Sequence, residues 1–140
     1  MKIYLPLDSF AVACGADLIA ETLRAEAARR GIALQLIRNG SRGMAWLEPL
    51  AELEIDGVRH GFGPLEPGDV AGLFDAPQSH PNAIGPVEAH PFWAGQTRLT
   101  FARVGVIDPL SLEDYEAHGG LSGLRRALGM SRDACLEEVT

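Results

Sequence analysis

Apolar and polar residues alternate from Lys2 to Leu7: Ile3, Leu5 and Leu7 interleave with Lys2, Tyr4 and Pro6, the period of a strand. The period lengthens over Ala16 to Arg30, which is rich in Ala, Leu, Glu and Arg. Ile19, Leu23 and Ala27 there form one helical stripe, and Gly31 stands where a left-handed cap would end the helix. Ile32 to Ile37, "IALQLI", reads as a second strand. Strand, helix and strand at this spacing predict a βαβ unit with parallel strands.

After the loop "RNGSRGMAWLEP", the segment "LAELEIDGVRHGF" predicts a hairpin. Leu53 and Ile55 alternate with Glu52 and Glu54, and Asp56-Gly57 supplies the positive φ angles of a type I′ turn. "LEPGDVAGLFD" follows as a short helix with Pro67 near its first turn. The expected arrangement is an α/β fold of thioredoxin-like type, with a four-stranded sheet and helices, over residues 1–75. Residues 76–95 hold four prolines and no periodicity, and read as a linker. "RLTFARVG" reads as extended. Three short helices then follow, the first capped by Ser111 with Asp114 three residues on, the last capped by Ser131. Residues 96–140 bury little among themselves and end without a closing element, so they are expected to lead into a further domain.

Composition narrows the function classes. A formal net charge of −7 argues against a non-specific nucleic-acid binder, which needs a basic surface. No apolar run reaches the roughly 20 residues of a membrane span, and Pro6 and Asp8 break the first apolar segment before it resembles a secretory signal. Two cysteines, Cys14 and Cys135, make no disulfide framework, and a reducing cytoplasm is the expected compartment. His60, His80, His90 and His118 lack zinc-ligand spacing. The pairs Arg29–Arg30 and Arg125–Arg126 suit helix ends, where the dipole favours cations.

Candidate chemistry gathers in the loops after the first two strands. Ser9 and Cys14 are spaced Ser-x4-Cys, and Ser41 and Ala45 are spaced Ser-x3-Ala beside two glycines. Cysteines at all four positions would place two thiolate pairs on adjacent loops and could hold a two-iron cluster. In this respect residues 1–75 resemble the thioredoxin-like ferredoxin module of respiratory complex I. The stretches "MKIYLPLDS", "RNGSRGMAWLEPL" and "LTFARVGVIDPLSLEDYEAHGGLSGLRRALGM" extend the likeness. Together they resemble the N-terminal portion of the β subunit of NAD-dependent formate dehydrogenases, which is similar to a ferredoxin-like domain fused to the complex I flavin subunit.

The resemblance implies a ferredoxin-like domain that has lost its cluster ligands, since its ligand positions fall on Ser9, Cys14, Ser41 and Ala45. It implies FMN, NAD and a four-iron cluster in a full-length subunit, but none of these within this chain. Its implied partners are the other subunits of a formate dehydrogenase complex, including a two-iron ferredoxin-like one, with no nucleic acid and no membrane. The chain alone is expected to lack catalysis, and a related NAD-reducing hydrogenase subunit is the neighbouring alternative. A stand-alone thiol enzyme using Cys14 and a self-contained binding protein are readings from other classes. Taken on their own, Cys14 and Cys135 read as packing residues. Trp46 reads equally as core or as a subunit contact. Pro49 occupies the place where thioredoxin folds often carry a cis proline, and the residues alone leave its isomer open.

Overall fold

A computed structural model describes all residues 1–140. The chain divides into two compact units, Met1–Val106 and Ile107–Thr140. The first unit is α/β, built on a five-stranded mixed sheet in the order β2-β1-β3-β4-β5. The strands are β1 (Lys2–Tyr4), β2 (Gln35–Ile37), β3 (Ala51–Ile55), β4 (Val58–Phe62) and β5 (Ala83–Pro86). β1 and β2 run parallel and every other pairing is antiparallel. The first four strands therefore follow the expected thioredoxin-like arrangement.

The strand count corrects the expectation of four. β5 comes from the proline-rich stretch read as a linker, where Gly85 and Pro86 pair with Gly61 and His60. Prolines are admissible there because β5 is an edge strand and its outer side needs no ladder hydrogen bond. Gly61 makes room at that crossing: a Cβ would come within 2.8 Å of the Ile84 side chain and 2.9 Å of that of Val87, which would have to shift.

The helix Ala16–Arg30 (α2) ends at Gly31 with φ +67°, as its sequence predicts. Asp56 and Gly57 take φ of +50° and +77°, which a type I′ hairpin demands. A short helix not anticipated from the sequence, α1 (Ser9–Ala13), precedes α2, and the Asp8 carboxylate caps it by accepting from the amides of Phe10 and Ala11 at 3.2 Å. After β4, a 3-10 turn at Pro67–Asp69 leads into α3 (Val70–Asp75).

Pairing of Ile3 with Leu53 and of Tyr4 with Glu52 puts these couples on opposite faces of the sheet. On one face Ile3, Leu5 and Leu53 pack with Ile19, Leu23 and Leu73 of α2 and α3, forming the main core. On the other, Met44, Leu50 and Val87 form a smaller apolar cluster. A 3-10 turn and α4 (Pro91–Ala94) complete this second covering layer, and Trp93 is buried in it. The segment "RLTFARVG" is a succession of turns rather than an extended strand.

The second unit carries α5 (Leu112–Ala117), α6 (Ser122–Leu128) and α7 (Arg132–Glu138). Ser111 and Ser131 cap α5 and α7 as their sequence predicts, each hydroxyl accepting from the amide three residues on. No helix in the protein is long and apolar enough to cross a membrane.

Candidate functional site

Parallel pairing brings the carboxyl ends of β1 and β2 side by side, and the ladder runs on past both strands. Leu5 donates to the Ile37 carbonyl and Leu7 to the Asn39 carbonyl, each at 2.9 Å. The loops that follow are therefore neighbours, and Asp8 ties them. Its Oδ1 caps α1, while its Oδ2 accepts from the Ser41 amide at 2.9 Å. One carboxylate thus satisfies donors from both loops.

The four candidate positions differ in what they can offer there. Ser9 opens α1 and is exposed. Cys14 is its C-cap, and the thiol is exposed rather than packed. The expectation of a packing residue fails because Gly15, at φ +101°, turns the chain before α2 begins, leaving Cys14 outside the main core. The Ser41 hydroxyl is committed: it donates to Glu48 Oε1 at 2.7 Å and accepts from the Gly43 amide at 3.0 Å. Ala45 opens an exposed 3-10 turn and brings only a methyl group. One thiol, two hydroxyls and a methyl do not match the thiolate set of a two-iron cluster. Elsewhere, no group of three or more His, Cys, Asp and Glu is arranged to hold a metal ion.

Beneath the second loop lies a charged layer that the sequence pattern does not announce. Glu48 is buried, and its Oε2 accepts from the Leu50 amide at 3.0 Å across the cis Glu48–Pro49 bond. Burial pushes its carboxyl up, nearby Asp8 and Glu52 push the same way, and the Ser41 and Leu50 hydrogen bonds oppose them. Arg42 and Glu52, both fully buried, meet in a two-pronged pair at 2.7 and 2.8 Å. Arg42 also pairs with Glu88 at 2.8 Å and lies over the Trp93 ring. Arg59 approaches Glu52 at 3.5 Å and stacks on Tyr4, with its guanidinium carbon 3.3 Å from the ring centre.

Sequence reading misses this layer because Glu52 alternates with Leu53 and so reads as a solvent-facing strand residue. Its burial depends on residues 84–106, which carry no periodic signal of a covering layer. The one local hint is Arg42 itself, a long cation set between small residues in "GSRGMAW".

At the rim, Trp46 is 57% exposed and meets Phe92 edge-on, with ring centres 5.0 Å apart. Exposure removes the core alternative for Trp46. Cys135, on α7, is half-buried, with its thiol 3.6 Å from the Ala127 carbonyl. Of the four histidines, His80 alone is buried. It is buried edge-on against Phe62, accepts from the Asn82 amide at Nδ1 and faces the Asp69 carbonyl with Nε2, each at 3.1 Å. No family model matches the chain, and no curated protein matches it.

Proposed function

We propose that this chain is a docking and assembly segment of a cytoplasmic, diaphorase-type β subunit. That subunit would pass electrons from formate oxidation to NAD through FMN and iron–sulfur clusters. The observation that carries the reading is the junction of the two loops after β1 and β2, tied by Asp8 to Ser41. The resemblance makes this junction the counterpart of a ferredoxin-type cluster site, yet its candidate ligand positions hold a single thiol. The scaffold has no role in electron transfer on this reading and serves as a surface. The Trp46–Phe92 pair beside the second loop supports a contact with neighbouring subunits, because aromatic side chains with one face open favour interfaces.

Iron and acid-labile sulfide assays on the purified chain, after anaerobic reconstitution, test the cluster-less scaffold. Neither element should bind stoichiometrically, and a stoichiometric two-iron cluster would overturn the reading. A second reading rests on the exposure of Cys14 ahead of α2 and makes the chain a thioredoxin-like thiol protein. Alkylation of the chain across pH separates the two: a midpoint well below that of free cysteine favours the thiol protein.

A further inference from the structure

The two arginines around Trp93 are not equivalent. The guanidinium carbons of Arg42 and Arg98 lie 4.2 and 3.8 Å from the centre of its ring. Both therefore rest against the same indole. Arg42 is compensated by Glu52 and Glu88. Arg98 is not: it meets no carboxylate, its Nη1 is buried without a hydrogen-bond partner, as that of Arg42 is, and the acid whose charge favours it, Glu88, already pairs with Arg42.

Arg98 lines a hollow of about 380 Å³ formed by residues 96–101. The backbone is open there as well. None of the amides from Thr97 to Phe101 donates to a backbone carbonyl, although the amides of Ala102 and Val104 do. Thr97 and Thr100 border the same hollow, with Leu99 and Phe101 85% and 63% exposed beside them.

We propose that this hollow is an oxyanion site of phosphate type, with Arg98 supplying the charge and the Nε–Nη2 edge of its guanidinium, the one away from the buried Nη1, two parallel donors. A run of amides without backbone acceptors next to a guanidinium is the donor set that such an anion requires. Burial and the charge of Arg42 hold Arg98 below the ordinary arginine range, so an anion at its edge would relieve an existing penalty. The inference is independent of the electron-transfer reading, since the hollow lies outside the two loops after β1 and β2.

The test is titration of the full chain with inorganic phosphate, followed by amide NMR, against sodium chloride at matched ionic strength. The expected result is a saturable shift centred on the amides of Thr97 to Phe101 and on Arg98 Nε. Arg98→Gln should weaken it at least tenfold while leaving the sheet amides in place. Arg98→Lys, which keeps the charge without the fork, should weaken it less. Shifts that do not saturate, that chloride reproduces, that centre elsewhere, or that survive in Arg98→Gln overturn the site. If Arg98→Gln disturbs the sheet amides, the Arg98→Lys comparison decides: an affinity unchanged from the parent chain also overturns it. Phenyl phosphate distinguishes the sources. Tighter binding than inorganic phosphate places an organic phosphate against Leu99 and Phe101, and equal binding assigns the free anion.

Discussion

Arg42 and Glu52 show how one residue pair can govern a whole layer. Each is held at a desolvation cost offset chiefly by the two-pronged bond to the other, with Glu88 and Arg59 adding to it at the edges, so removing one partner leaves a buried charge short of its main counter-ion. Arg42→Ala is expected to destabilise the chain by about 3–5 kcal/mol, read from urea unfolding. The double change Arg42→Met with Glu52→Leu should recover most of that loss; a double variant no better than the single one would show that the layer needs the ion pair itself. Glu48 makes a different demand. Its carboxyl is pushed up by burial, so the folded chain holds the proton more tightly than the unfolded chain does. As pH rises past the ordinary value of 4.5, the unfolded state ionises first and native stability falls until Glu48 ionises too. Glu48→Gln removes that fall. Its urea midpoint should gain on the parent from acid toward neutral pH, whereas a constant offset would contradict the assignment. Neither Glu48 nor Glu52 is legible in the sequence as buried, because both sit beside apolar positions that account for the pattern without them. Cys14 fails in the opposite sense: small and apolar in its setting, it reads as packed, but the left-handed Gly15 after it puts it outside.

Elements fare better where their own residues decide them. The α2 helix, its glycine cap and the type I′ turn follow from local chemistry, and the structure places each where the sequence does. β5 and α4 do not, since edge pairing and Trp93 burial come from partners distant in the chain. α1 is missed for a third reason: five residues give too short a window for a period, and only the Asp8 cap marks it. Between α2 and α3 the arginine pair at the helix end has more to do than meet a dipole. Arg30 bonds Glu26 on its own helix and reaches Asp75 on α3, its Nη2 lying 3.0 Å from Asp75 Oδ2. Hydrogen bonds from Arg29 and Arg30 hold the Glu26 carboxyl down to about 2, and Arg30 lowers Asp75 as well. Depressed carboxyls stabilise the fold above their ordinary range, and that contribution is lost as pH falls through the lowered values. Carbon-13 titration should place the Glu26 midpoint near 2, and Arg30→Gln should raise the Glu26 and Asp75 midpoints together. An unmoved Asp75 would show that the helices are not linked through Arg30.

At the scale of the molecule, the two units rest on different foundations. Met1–Val106 has a core on each face of its sheet. In Ile107–Thr140, Ile107 and Gly120 are the only buried residues, while Leu110, Leu128 and Val139 are 90%, 79% and 82% exposed. Helices of six and seven residues with so little burial are marginal in water. Hydrogen exchange should therefore leave the amides of α5, α6 and α7 protected orders of magnitude less than those of β1, β3 and β4. Comparable protection in both units would mean that the helices are stabilised beyond what their burial provides.

The chain holds two tryptophans, and their settings are complementary: Trp93 is 8% exposed against two guanidiniums, and Trp46 is 57% exposed at the rim of the paired loops. The protein thus carries its own pair of optical reporters. A quencher in solution reaches one indole and not the other, so events at the candidate docking rim and events in the charged layer can be watched separately in the same unlabelled sample.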